Sequence, residues 1–151
     1  MTPPPNVHAT AIVIGTTGLL FLGPSGAGKS AVALHCIEEA RGRGLFAALV
    51  SDDQVLIHQA GGRIVARAPA SIAGLAEVRG AGIVNVATIE AAVLSRAIRP
   101  LAPPFGERLP PEGETVELVA SVFLPVTRLP LFPGCTAFST LAALHPEILK
   151  S

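Results

Sequence analysis

The sequence predicts an α/β fold with a mixed sheet containing antiparallel hairpins, in a single domain of 151 residues. An apolar run, 19–22, leads into a glycine-rich segment, 23–30, and residues 31–37 follow without Gly or Pro. This order indicates a strand, a loop and a helix. Two further stretches, 7–22 and 54–67, each contain two β-prone runs joined by a short turn-forming segment, as is typical of hairpins.

The glycine-rich segment matches the pattern G-x-x-x-x-G-K-[ST] of phosphate-binding loops at all four fixed positions. Backbone N–H groups of such a loop and of the following helix form a concave anion site. Lys29 would place an ammonium beside the terminal phosphates of ATP, and Ser30 would offer its hydroxyl to Mg²⁺. The alternative is a chance glycine-rich turn. The predicted phosphate-binding residues are Gly23, Pro24, Ser25, Gly26, Ala27, Gly28, Lys29 and Ser30.

The composition argues against several classes of function. Half of the residues are hydrophobic, 15% are charged, and the formal net charge is zero. A chain without excess positive charge is poorly suited to non-specific nucleic-acid binding, and the lack of Trp and Tyr removes most stacking platforms. No apolar run approaches bilayer-spanning length, and residues 1–6 carry no secretory signal pattern. We expect a cytoplasmic protein without a membrane partner.

The remaining pattern predicts further elements. Residues 7–14 should form one strand paired with the strand that enters the loop, and 88–98 fits either a helix or a strand. The other expected elements are a buried strand at 45–50, a short helical turn at 69–75, a β-prone run at 83–87, a proline-rich loop at 100–113, a strand pair at 115–126 and a closing helix at 136–148 that Pro146 ends early.

Asp52 and Asp53 follow the predicted buried strand at 45–50. Phosphoryl transfer needs a metal held by a hydroxyl and a carboxylate, and often a base for the acceptor. Two adjacent acids point in different directions, so one can accept the proton of the acceptor while the other faces Mg²⁺ or a basic group. The alternative is a solvated turn.

Four further polar residues are weaker candidates. Glu77 and Arg79 lie in a predicted glycine-rich loop, where Glu77 would support the metal and Arg79 would contact phosphate. Solvent-exposed charges are the alternative. His8 is a lone histidine on a strand, which is more often structural, and Arg108 in the proline-rich loop is a surface residue by default.

Together, the hairpin with His8, the loop at 23–30, the segment 50–55 and the segment 74–86 resemble HPr kinase/phosphorylase. The last segment, Gly-Leu-Ala-Glu-Val-Arg-Gly-Ala-Gly-Ile-Val-Asn-Val, corresponds to the signature of that family. The resemblance implies a core similar to phosphoenolpyruvate carboxykinase and assembly into hexamers. It also implies Mg²⁺-dependent transfer from ATP or pyrophosphate to a serine of the phosphocarrier protein HPr, and removal of that phosphate by phosphorolysis.

The resemblance also assigns roles to residues. It implies that Ser30 and Glu77 form the metal site, and that Asp53 is the acid/base residue with Asp52 as its partner. The other implied catalytic residues are His8, Lys29 and Arg108.

Two departures from the family pattern matter. His8 lies almost at the start of the chain, which indicates a shortened form without the usual N-terminal domain. Residues 131–136 lack the Arg and Asn of the family's Pro-Gly-Arg-Asn loop, which argues against phosphorolysis. One alternative function is therefore a nucleotide-binding regulatory module with little transferase activity, and another is a small-molecule kinase.

Overall fold

A computed structural model describes residues 4–24, 28–78, 80–105 and 109–150. No helix in this part of the chain has the length and apolar character needed to cross a bilayer. Short 3₁₀ turns lie at Ala70–Ile72 and Pro146–Leu149. The other elements are β1 (Asn6–His8), β2 (Thr10–Ile14), β3 (Thr17–Phe21), α1 (Lys29–Gly42), β4 (Ala47–Ser51), β5 (Gln54–Ala60), β6 (Arg63–Arg67), β7 (Leu75–Val78), β8 (Gly82–Asn85), β9 (Ala91–Leu101), β10 (Thr115–Val119), β11 (Val122–Pro130) and α2 (Ala137–Leu144).

Nine of the strands form one curled mixed sheet, in which seven follow the order β1-β5-β6-β9-β3-β2-β4. β11 pairs in parallel with the last part of β9, and β10 pairs antiparallel with β11. β3, which leads into the glycine-rich segment, lies between antiparallel β2 and parallel β9. β7 and β8 form a separate two-stranded ribbon. The predicted mixed sheet with antiparallel hairpins is confirmed.

Both faces of the central strands are covered by apolar side chains. Leu19 and Phe21 of β3 pack with residues of α1 and α2, including Ile37 and Phe138. Leu20, which points to the other face, packs with residues of β5, β6 and β11. All five residues of β2 are buried. The strand that precedes the candidate loop is therefore fixed on both faces and along both edges.

The expected single strand at 7–14 is wrong. The strand is interrupted at Ala9, whose N–H donates a hydrogen bond of 3.1 Å to the carbonyl of Asp53. As a result β1, with His8, pairs with β5 rather than with the strand that enters the loop. The ambiguous segment 88–98 becomes strand β9 from Ala91 onward, because partner strands on both sides override the helix propensity of alanine.

The closing helix behaves as expected. α2 stops at Leu144, and a 3₁₀ turn starts at Pro146. The Thr136 hydroxyl caps the N-terminus of α2 by accepting a hydrogen bond of 3.0 Å from the Ser139 N–H.

Cys36 is buried on α1, and burial together with nearby Glu39 raises the pKa of its thiol to about 12. Cys36 is therefore a core residue.

Gly18 tests the close approach of β3 to β9. An added Cβ would lie 2.1 Å from the backbone carbonyl oxygen of Val93. We expect Gly18→Ala to lower the free energy of unfolding by about 3 kcal/mol, because the backbones must move apart. Gly42→Ala, at the open end of α1, should leave stability unchanged or raise it. Urea unfolding of both variants makes the comparison, and equal stabilities would contradict this register.

His145 gives a test of pH dependence. Arg96 donates to the Thr127 hydroxyl (3.1 Å), which bonds to His145 Nε2 (2.5 Å), while His145 Nδ1 lies 3.4 Å from the Glu147 carboxylate. Burial, and then the charge of Arg96, lower the pKa of His145 below its ordinary value of 6.5. Its unfolded form therefore binds a proton first as the pH falls.

We accordingly expect the free energy of unfolding to fall as the pH drops through about 6.5. The measurement is urea unfolding between neutral and mildly acidic pH. His145→Gln should flatten this part of the profile, and His35→Gln, at an exposed position of α1, should leave it in place. A slope that persists unchanged in His145→Gln would contradict the assignment.

Candidate active site

Four of the candidate residues lie together at points where elements begin or end. His8 is the last residue of β1, and Lys29 is the first residue of α1. Asp52 and Asp53 form the corner between β4 and β5. The pairing of β1 with β5 sets His8 opposite Gln54, directly beside this corner.

Lys29, His8 and Asp53 form one polar group. The Lys29 Nζ lies 3.0 Å from His8 Nε2 and 3.8 Å from the Asp53 carboxylate, and His8 Nδ1 lies 3.3 Å from the same carboxylate oxygen. An ammonium only donates, so His8 Nε2 accepts, and its proton is assigned to Nδ1, facing Asp53. The Lys29 side chain is 6% exposed and that of Asp53 is 57% exposed. A buried cation is thus aimed at an accessible carboxylate.

The backbone of the corner separates the two acids. Asp53 has a φ of 69°, in the left-handed region that Asp adopts more readily than most residues. Its carbonyl accepts from the Ala9 N–H, and its own N–H donates to the Thr10 hydroxyl over 3.4 Å. The side chain of Asp53 is exposed, whereas Asp52 is buried with 5% of its surface accessible.

The Asp52 carboxylate accepts hydrogen bonds from three elements. Its Oδ1 accepts from the Thr10 hydroxyl (2.9 Å) and from the Ser30 hydroxyl (2.6 Å), and its Oδ2 accepts from the Glu77 N–H (2.9 Å). These donors stabilise a buried charge that would otherwise be costly. Asp52 therefore ties β2, the first turn of α1 and β7 to one point.

The residues predicted for Mg²⁺ meet around Asp52. Glu77 lies on β7 rather than in the expected loop, because residues 75–78 pair with β8. Its side chain is exposed, and its N–H and the Ser30 hydroxyl bind the same carboxylate. Among the described residues, no three His, Cys, Asp or Glu side chains are grouped to hold a metal. A hydroxyl and carboxylates do fit Mg²⁺ that is shared with substrate phosphates, since Mg²⁺ prefers oxygen ligands.

The glycine-rich segment is described only at its ends. Gly23 follows β3, and Gly28 caps α1 with a left-handed φ of 82°. Among the described residues, no side chain caps this helix end, and its first turn carries no acidic residue of its own; the negative charge nearby is that of Asp52, which accepts from the Ser30 hydroxyl. The predicted site residues Ser25, Gly26, Ala27, Arg79 and Arg108 lie outside the described residues.

A separate groove of about 690 Å³ lies between α1 and the start of α2. Val32, His35 and Phe138 are among its lining residues, and no predicted site residue that the structure describes lines it. The described members of the predicted site therefore gather at the Asp52–Asp53 corner rather than at this groove.

Thr10 is the residue of this site that sequence reasoning missed. It is fully buried and binds both members of the acid pair. One signal for it was present, since Thr10 is the only polar side chain in the apolar segment 9–14. A buried hydroxyl requires a hydrogen-bond partner, but the sequence gives no indication that the partner lies 42 residues away.

Comparison with known proteins identifies the family. The sequence model of the HPr Serine kinase C-terminal domain family matches residues 1–96, more than half of the chain. The chain belongs to this family. Segments 23–30, 50–55 and 74–86 predicted this family, and that prediction is confirmed.

Two curated relatives and one solved structure are informative. The chain is 37% identical to the HPr kinase/phosphorylase of Clostridium beijerinckii over 89 residues, which cover 59% of the chain and 28% of that protein. It is 32% identical to the HPr kinase/phosphorylase of Brevibacillus brevis over 145 residues, which cover 89% of the chain and 44% of that protein. The chain therefore spans less than half the length of both relatives.

The structure of the Hpr(Ser) kinase/phosphatase from Coxiella burnetii is similar, with a TM-score of 0.75 and 24% identity. The match covers 94% of this chain and 90% of that chain. This likeness confirms the fold of the HPr serine kinase C-terminal domain described here. The expected likeness to phosphoenolpyruvate carboxykinase stays a prediction.

The contrast between the two acids gives a stability test. Asp52→Ala removes the acceptor of three hydrogen bonds, two of them from side chains, and should lower the free energy of unfolding by about 3 kcal/mol. Asp53→Gly suits the left-handed backbone and should change it by less than about 1 kcal/mol. Urea unfolding compares the two variants. Equal losses would show that Asp52 does not have the structural role assigned to it.

Proposed function

We propose that this chain is a Mg²⁺-dependent protein kinase that transfers the terminal phosphate of ATP to a serine of HPr. One observation carries the proposal: the buried Lys29 ammonium lies 3.8 Å from the exposed Asp53 carboxylate, with His8 in contact with both. In a member of the HPr serine kinase family, this arrangement supports a phosphate-binding role for Lys29 and the role of base for Asp53, whose exposed carboxylate an incoming hydroxyl can reach.

In the proposed reaction, residues 23–30 hold the phosphates of ATP, with Lys29 at the terminal phosphate. The serine oxygen of HPr attacks the terminal phosphorus, and the bond from that phosphorus to the bridging oxygen of ADP breaks. Asp53 accepts the proton of the serine hydroxyl. His8 donates its Nδ1 proton toward the Asp53 carboxylate and so orients it.

Ser30 and Glu77 are the proposed ligands of Mg²⁺, which when bound supplies positive charge to the phosphate oxygens. Asp52 holds the Ser30 hydroxyl at 2.6 Å and the Glu77 backbone at 2.9 Å, so one buried group positions both. Arg79 and Arg108 stay proposals as phosphate contacts, Arg108 acting on the transferring group. We also propose that the reaction takes place in the cytoplasm, where ATP and Mg²⁺ are available.

The direction of the reaction and the assembly are proposals as well. Residues 131–136 lack the Arg and Asn that the family's phosphorolysis loop carries, so we assign the forward kinase reaction to this chain. Pyrophosphate would occupy the same loop as ATP. We also propose a single catalytic domain over residues 1–151 that assembles into a homo-oligomer, a hexamer by resemblance to the family.

A regulatory module that binds nucleotide without efficient transfer is the second candidate. The observation in its favour is that segment 131–136 lacks the Arg and Asn of the family's loop, while Thr136 in this segment serves the fold. Its hydroxyl caps α2 and donates to Glu39 over 3.0 Å. A regulatory module would bind MgATP in isothermal titration calorimetry without turnover.

Incubation of the protein with radiolabelled ATP, Mg²⁺ and purified HPr tests the proposal. We expect serine labelling, which Asp53→Asn should lower by at least about 100-fold because the base is lost. The same substitution should leave the Kd for ATP within about threefold, because Asp53 is placed to act on the acceptor rather than on ATP. Glu38→Gln, an exposed carboxylate on α1, is the matched control and should retain full activity.

Two results would contradict the proposal. The first is tight MgATP binding with no phosphate transfer to HPr, which favours the regulatory module. The second is an Asp53→Asn protein that transfers phosphate at the parent rate, which would remove Asp53 as the base.

A further inference from the structure

We infer that Thr10 is a positioning residue that holds both acids of the site in place through one hydroxyl. This inference rests on the proposed function, because positioning has a kinetic meaning only if the Asp52–Asp53 corner performs phosphoryl transfer. The supporting contacts are properties of the fold. The inference can therefore be tested with a readout that does not depend on activity.

The Thr10 hydroxyl makes two different hydrogen bonds. It donates to Asp52 Oδ1 over 2.9 Å and accepts from the Asp53 N–H over 3.4 Å. Thr10 is the only polar side chain of β2 and is completely buried. Because the hydroxyl donates one hydrogen bond and accepts another, its orientation is fixed. One atom thus links the buried acid to the backbone of the exposed acid.

The position of Thr10 is itself fixed by the sheet. It pairs with Phe21, the last residue of β3 before the glycine-rich segment. The hydroxyl therefore relates the acid corner to the strand that carries the candidate phosphate loop. Thr10 thus connects two segments that must cooperate in phosphoryl transfer, one through its backbone pairing with Phe21 and the other through its hydroxyl.

Asp53 needs this support because of its backbone conformation. Its φ of 69° is unusual for a residue other than glycine. The N–H of Asp53 is held by the Thr10 hydroxyl, and its carbonyl is held by the Ala9 N–H. Both backbone polar groups of Asp53 are therefore fixed by residues at the junction of β1 and β2. The backbone angle sets the direction of the carboxylate toward His8 and Lys29.

The hydrogen bond from Thr10 to Asp52 also affects Ser30. Asp52 Oδ1 accepts from both the Thr10 and the Ser30 hydroxyls. Without Thr10 the Asp52 carboxylate loses one of its three fixed donors and gains freedom to rotate away from Ser30. A misplacement of about 1 Å in such a site can lower a rate by about 100-fold.

Thr10→Val removes the hydroxyl and keeps the shape, and Thr10→Ser keeps the hydroxyl. We expect Thr10→Val to lower kcat for HPr phosphorylation by about 10–100-fold with the KM for ATP within about threefold. Thr10→Ser should retain at least about half of the parent kcat, since the positioning group is present. Amide hydrogen exchange of Asp53 should become faster in Thr10→Val and stay at the parent rate in Thr10→Ser.

Each outcome has a defined meaning. An unchanged kcat in Thr10→Val, or equal losses in the Val and Ser variants, overturns the inference. If the parent chain transfers no phosphate, the proposed function fails, and Asp53 amide exchange alone decides the inference: unchanged protection in Thr10→Val overturns it. Circular dichroism verifies folding, and Thr10→Ala serves as a second hydroxyl-free variant with the same expected results if Thr10→Val does not fold.

Discussion

The buried Asp52 carboxylate is the interaction on which the rest of the site depends. It accepts hydrogen bonds from residues 10, 30 and 77, which lie on three different elements. A carboxylate with only 5% of its surface accessible is stable as an anion only when such donors surround it. The sheet, the first helix and the β7–β8 ribbon therefore meet at one charge, and loss of a donor removes the connection to its element.

The adjacent acid has the opposite environment. Asp53 is more than half exposed and lies beside the cation of Lys29, which is itself almost fully buried. A left-handed backbone at Asp53 produces this division between neighbouring residues. One acid thus stabilises the structure, and the next is accessible to solvent. The proposed kinase reaction uses this difference, because a base must be reachable while its supporting groups stay rigid.

The local sequence pattern was sufficient to predict much of the fold and part of the candidate site. The strand that enters the glycine-rich segment, helix α1, the β5–β6 hairpin and the adjacent placement of Lys29 and Asp53 follow from apolar runs, glycines and a recognised motif. The chain pattern did not show that 7–14 breaks at Ala9, because the partner of Ala9 is a carbonyl 44 residues later. Thr10 was missed for the same physical reason.

Two other differences have related causes. Residues 91–98 form a strand because β3, β6 and β11 pair with β9, and no residue within the segment encodes these partners. Glu77 was expected in a loop because glycines follow it, yet pairing with β8 makes it part of a ribbon. In each case a long-range backbone partner determined the structure, and hydrophobic periodicity carries no information on such partners.

The most direct test is a crystal structure of the protein with Mg²⁺ and a non-hydrolysable ATP analogue. We expect the terminal phosphate to contact Lys29 Nζ and to face the Asp53 carboxylate, while Asp52 keeps its bonds to Thr10 and the Glu77 N–H. An analogue whose phosphates lie away from Lys29, for example in the groove between α1 and α2, would contradict this expectation.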